Sequence, residues 1–283
     1  MSARAAAEAV APANEPGMKT YTRITALVLI VLLACGAETF ATPEPDVKQI
    51  IAKSVEAIRH DWEEEPKYDC FERDRLAHGT KTYKDLMIDG SPYQMLVKVD
   101  GKPLSAGQQA EEKRKLQETI AERKAESPQQ RTQRIQKYQL ETKRNHELID
   151  QLTQAFDFHM EGQRKLDGFE VYVLRATPRP GYQPTSVQTE VLKGMKGRLW
   201  IDKKTYQWVQ VEARVIHPVS IYGFVARVEP GTRFELVKMP VGDGVWLRKD
   251  FSMKAHVNVF YFFARHQSDD IAYYGCSAQT EKF

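Results

Sequence analysis

Gly197-Arg198-Leu199-Trp200-Ile201-Asp202-Lys203-Lys204-Thr205-Tyr206-Gln207-Trp208-Val209, continued by Gln210-Val211-Glu212-Ala213-Arg214-Val215, holds two extended runs about a polar reversal. In the second run Val209, Val211, Ala213 and Val215 alternate with Gln210, Glu212 and Arg214. One face is therefore greasy and the other wet, the pattern of a half-buried strand. Asp202 to Thr205 is too short for a parallel crossover, so the two runs are antiparallel neighbours.

The same period extends in both directions. Downstream, Ile221 to Val228, Thr232 to Met239, Val245 to Lys254 and Val257 to Arg265 each read as a strand, and Tyr273 to Ser277 adds a short last one. Phe251, Met253 and Ala255 share a face opposite Asp250, Ser252 and Lys254. Upstream, Phe156 to Glu161 and Phe169 to Ala176 precede the decisive stretch. Earlier still, Tyr68 to Leu76, Thr82 to Ile88 and Tyr93 to Val99 form a meander punctuated by His78-Gly79, Asp89-Gly90 and Asp100-Gly101. The prolines between Arg175 and Gly194 mark the one long loop.

Two segments have other periods. Val47, Ile51, Val55, Ile58 and Trp62 recur at steps of three and four, which predicts an amphipathic helix that Pro66 ends. His60-Asp61 with Glu63, Glu64 and Glu65 reads as its charged end. Ser105 to Leu152 is rich in Glu, Lys, Arg and Gln and is divided by Ser127-Pro128. That predicts two charged helices, read either as a solvated insertion or as a docking arm or lid. One amphipathic helix covers too little of about eleven strands, so the sheet is expected to curl around its own apolar face.

The N-terminus reads as an export signal. Met18 offers a second start, Lys19 and Arg23 a basic n-region, and Ile24 to Ala34 an apolar run too short for a bilayer span of about 20 residues. Thr39-Phe40-Ala41 suits cleavage before Thr42, while Leu32-Leu33-Ala34-Cys35 resembles a lipobox that would make Cys35 a lipidated first residue. The expected organisation is a signal over 1–41, one β-domain over 42–277 with the 105–152 insertion, and a tail over 278–283. In the oxidising compartment that export implies, Cys70 and Cys276 are either bridged or two buried thiols.

Composition excludes more than it assigns. Lys and Arg number 41 against 38 Asp and Glu, without a basic stripe interleaved with aromatics, so no nucleic-acid partner is expected. No phosphate-binding glycine loop, nucleophile elbow or His-Glu-x-x-His motif occurs, and the histidines fall singly. No cofactor, metal or catalytic set is therefore expected. Trp200, Trp208, Trp246, Tyr206, Tyr222, Phe260, Tyr261, Phe262 and Phe263 form an aromatic set that suits a core or the wall of a lipid groove.

The order of helix, three strands, helical interruption and long antiparallel run resembles the LolA/LolB-like superfamily of periplasmic lipoprotein carriers. The local resemblance lies in Gly197 to Val209 and in Asp100-Gly101-Lys102-Pro103-Leu104-Ser105. It implies a mainly β (α+β) fold, a half-open antiparallel barrel whose first helix forms part of a lid over a cavity for acyl chains. On that reading Val55, Trp62, Leu199, Ile201, Val209, Val211, Val215, Phe234, Leu236, Phe251 and Met253 are the expected cavity wall. The chain ends would then approach one another, bringing Cys70 and Cys276 within about 4.4–6.8 Å between Cα atoms. The expected function is non-enzymatic periplasmic binding of an acyl chain or lipoprotein lipid, for transport or envelope sensing. The alternative is an envelope scaffold that uses 105–152 to hold a protein partner.

Overall fold

A computed structural model describes residues 46–221, 225–259 and 263–279. The expected signal, Cys35, Tyr222, Phe260, Tyr261, Phe262 and the end of the tail lie outside the described residues. Helix α1, Val47–Glu64, starts at Asp46, whose side chain accepts a bond from the Lys48 amide and so satisfies one of the donors left free in a first helical turn. Pro66 then sits in a 3₁₀ turn, Glu65–Lys67, that hands the chain to the sheet.

Among the described residues thirteen strands follow. They are β1 (Tyr68–Leu76), β2 (Gly79–Ile88), β3 (Ser91–Val99), β4 (Lys102–Pro103), β5 (Phe156–Leu166), β6 (Phe169–Pro178) and β7 (Met195–Asp202). After them come β8 (Trp208–Val215), β9 (Val219–Ile221), β10 (Ala226–Val228), β11 (Arg233–Gly242), β12 (Val245–Val259) and β13 (Phe263–Ala278). Pairing is antiparallel throughout, in the order β4-β3-β2-β1-β13-β12-β11-β8-β7-β6-β5, with β10 on β12 and β9 on β10. The sheet is unclosed, with β4 and β5 at its two ends. Its reversals follow the chemistry of the chain: Asp89-Gly90 and Asp167-Gly168 both place two successive residues at positive φ, the geometry of a tight hairpin.

Three strand boundaries differ from the sequence reading. The run Ile221 to Val228 is two short strands, because β9 and β10 pair with each other. The run Val257 to Arg265 spans the end of β12 and the start of β13, which pair as Val259 with Phe263. Phe260-Tyr261-Phe262 carries none of the Gly, Pro or Asn that announce a turn. Tyr273 to Ser277 is not separate but the far end of β13.

The charged segment forms α2 (Ala106–Ala125), α3 (Pro128–Asp150) and the short α4 (Leu152–Ala155). Ser105 and Ser127 head α2 and α3 with reciprocal capping boxes completed by Gln108 and Gln130. Arginines dock this hairpin on the β2–β3 turn. Arg123 Nη1 donates to the carbonyls of Ile88 (2.6 Å) and Ser91 (2.8 Å), and Arg131 pairs with the Asp89 carboxylate at 2.7 Å. Arg134 donates to Ser91 Oγ at 2.7 Å while both its other nitrogens hold Glu126. A Cβ on Gly90 would come within 3.0 Å of Ile135, so the turn's glycine serves close packing as well as backbone conformation.

Burial divides by face. Ile50, Ile51, Val55 and Ile58 of α1 are buried with Leu174, Ala176, Leu199, Ile201, Val211 and Val215 in the main core. Val171, Val173, Trp200, Val209 and Trp246 form a smaller cluster. On β6 and β7 the two clusters alternate residue by residue, so they occupy opposite faces. The alternation in β8 is broken by a bulge, where Trp200 pairs with Gln210 but Ile201 with Trp208. It puts Val209 in the smaller cluster, away from Val211 and Val215, although the sequence set all three on one face.

Cys70 and Cys276 are bridged, joining the first sheet strand to the last across 206 residues. Their Cα atoms are 4.1 Å apart, a little closer than expected. They sit on directly paired strands, at a bulge between Asp69–Ser277 and Phe71–Tyr274, and facing residues on such strands approach to about 4.5 Å. Replacing both cysteines by Ala is expected to lower unfolding free energy by up to about 5 kcal/mol on the chain-entropy account. Urea unfolding of the two forms measures this; equal stability would show that the bridge constrains little.

Candidate functional site

Asp61 lies three residues after Ile58 and therefore on the apolar stripe of α1, where it is only 2% exposed. A carboxylate is tolerated there because partners from three strands converge on it. Lys238 of β11, in phase with Phe234 and Leu236, donates its ammonium to Asp61 Oδ2. The Gln207 amide, just before β8, and the Trp246 backbone N–H of β12 each donate to Oδ1 at 2.9 Å. Gln207 also reaches the Ala57 carbonyl at 3.4 Å. Burial holds the Lys238 ammonium below the ordinary lysine range, against the opposing pull of Asp61. The reading of Asp61 as part of a charged helix end is thus corrected. Its three-residue spacing from Ile58 was the available signal, obscured by the acidic residues that follow.

This network forms one wall of a cavity of about 650 Å³ between the end of α1, helix α3 and the sheet. Ile58 and Trp62 come from α1; Tyr138, Thr142, His146 and Ile149 from α3; the remaining walls come from β1 to β3, β8 and β11 to β13. The Trp62 and His146 rings stack at 3.5 Å between centroids, and Arg59 pairs with Asp150 at 2.7 Å. Burial pulls the His146 imidazole below its usual value, which keeps it neutral at pH 7 and suits it to stacking. The insertion is therefore a wall of the cavity.

Apolar and aromatic residues dominate the lining, including Leu86, Met87, Tyr93, Trp208 and Tyr273. The polar groups gather on one side. Arg248 donates to Glu65 at 2.9 Å and lies 4.9 Å from the centre of the Tyr273 ring. Gln94 Nε2 donates to both Glu72 Oε1 (2.8 Å) and Asp85 Oδ1 (3.1 Å). Burial, reinforced by the Glu72 charge, pushes Asp85 up to about 6. Burial also raises the Tyr273 phenol, so that it remains a donor. Among the described residues no three His, Cys, Asp or Glu side chains converge as a metal site.

Of the eleven residues expected to form the wall, Trp62 and Leu236 line this cavity. Val55, Leu199, Ile201, Val211 and Val215 are packed together in the main core beneath α1, and Val209 is in the smaller cluster. Phe234, Met253 and Phe251 lie half-buried outside the cavity, Phe234 paired with Met253 and Phe251 with Leu236 across β11 and β12. The residues without a sequence signal were Tyr93, Gln94, Tyr138 and His146, which become neighbours only when the helical hairpin folds onto β3.

Removing one partner from the Asp61–Lys238 pair leaves the other charge buried. Asp61→Leu or Lys238→Met alone is expected to cost about 3–5 kcal/mol, and the two combined much less than the sum. Chemical denaturation of the four proteins checks this; additive losses would show that the two charges are uncoupled.

No family model matches this chain, and no curated protein matches it in sequence. Among solved structures it is similar to a domain described as outer membrane lipoprotein-sorting, from Vibrio parahaemolyticus: 13% identity, 81% of this chain, 94% of that chain, TM-score 0.29. It is also similar to a LolA superfamily protein from Nitrosomonas europaea, at 10% identity over 84% of this chain and 96% of that one, with a TM-score of 0.31. A DUF1329 family protein from Desulfovibrio piger matches at 11% identity over 84% and 95%, with a TM-score of 0.32. At such identities and scores these similarities assign this chain no superfamily, ligand, partner or site residue.

Proposed function

We propose that this chain is an exported, non-enzymatic binding protein that takes an acyl chain of a lipid or lipoprotein into the cavity between α1, α3 and the sheet. The supporting observation is the composition of the walls: aromatic and aliphatic side chains surround about 650 Å³, within the range of small-molecule sites. Each methylene transferred there contributes about 0.8 kcal/mol before the costs of association, so a long chain binds without any reactive group. The Cys70–Cys276 bridge suits an oxidising compartment such as the periplasm. A scaffold role through the insertion is the second reading, favoured by one observation: α2 has no fully buried side chain along its 20 residues.

Deleting 105–152 does not separate these readings, because it also removes the α3 wall. Direct uptake does. Trp62 and Trp208 line the cavity, so an uncharged monoglyceride with a brominated acyl chain is expected to quench their fluorescence saturably. Thr142→Phe, which adds bulk from α3, should weaken uptake by about tenfold. Absence of quenching by the folded, delipidated protein would reject the acyl-binding reading and leave the scaffold reading.

A further inference from the structure

Resting on the reading of this cavity as an acyl-chain site, we infer that its ligand carries a cationic head group, an ammonium, received by Glu72 and Asp85. The argument is one of charge balance within the walls. Their carboxylates are Asp61, Glu65, Glu72 and Asp85, and their cations Lys238 and Arg248. Both cations are engaged: Lys238 donates to Asp61, and Arg248 donates to Glu65 and lies beside the Tyr273 ring. An anionic head group would find neither free, and would meet two further carboxylates.

Glu72 and Asp85 share the single amide of Gln94, at 2.8 and 3.1 Å. Two carboxylates have about eight lone-pair sites between them, and the Gln94 amide with the Tyr273 hydroxyl beside Glu72 fills few of them. Lys84, adjacent to Asp85 in sequence, is turned to Asp69, 3.9 Å away, and is not part of the lining. Burial, with the neighbouring Glu72 charge, raises Asp85 against the opposing pull of Arg248. The rings of Tyr68, Tyr93, Tyr138 and Tyr273 line the same chamber, and aromatic walls are favourable surroundings for an ammonium. Carboxylate acceptors and aromatic rings within a mostly apolar chamber match a cationic amphiphile better than a fatty acid.

Isothermal titration calorimetry of the purified exported protein with three twelve-carbon amphiphiles, all below micellar concentration, tests this. Dodecyltrimethylammonium is expected to bind at least about tenfold more tightly than dodecanoate, with uncharged dodecanoyl glycerol between them. Glu72→Gln with Asp85→Asn should weaken the ammonium compound by about tenfold and leave the glycerol ester within about twofold. Circular dichroism checks folding, and Glu72→Gln alone supplies the same ratio if the double variant does not fold. Dodecanoate binding as tightly as the ammonium compound, or a variant that weakens all three equally, overturns the head-group inference while the acyl-chain reading stands. Failure of all three to bind overturns both.

Discussion

Asp61 is a charge in a position that the helix periodicity reserves for the core, and the arrangement around it depends on satisfying that charge. The apolar stripe of α1 supplies burial, which is non-directional and by itself does not single out one seat along the greasy face of a sheet. The carboxylate is directional. It has its partners where Lys238, the Gln207 amide and the Trp246 N–H meet, and these come from positions far apart in sequence. They meet because β8, β11 and β12 are consecutive in the sheet, so the network reports the strand order as much as the helix position.

From that seat the other walls follow. The end of α1 carries Trp62 to the stack with His146 and Arg59 to its pair with Asp150, which places α3 alongside α1. At its other end α3 is held by arginines on the backbone carbonyls and side chains of the β2–β3 turn. A helix so polar buries little apolar surface, and directed hydrogen bonds to a tight turn replace what a greasy stripe would supply. On the far wall, β1 is paired with the second half of β13 and covalently joined to it at Cys70–Cys276. The cavity is thus framed by an ion pair, an aromatic stack and a disulfide, while its lining remains mostly apolar.

Period-two runs and Asp-Gly turns determined most of the strands, and the three- and four-residue steps determined α1, because these signals are local and report one buried face each. Ser-Pro with polar flanks likewise determined the break between the two charged helices, since a capping serine and a first-turn proline fix a helix start without distant contacts. What the periodicity could not separate was core from cavity wall. Leu199, Ile201, Val211 and Val215 have the same alternation whether α1 covers them or a ligand does, and only the packing of α1 decided it. A bulge opposite Trp200 and Ile201 moved Val209 to the other face, and a bulge of one residue leaves no mark in an otherwise regular run. The burial of Asp61 and the docking of α3 were decided by tertiary structure alone, because each is a contact between residues whose separation in sequence carries no periodic signal.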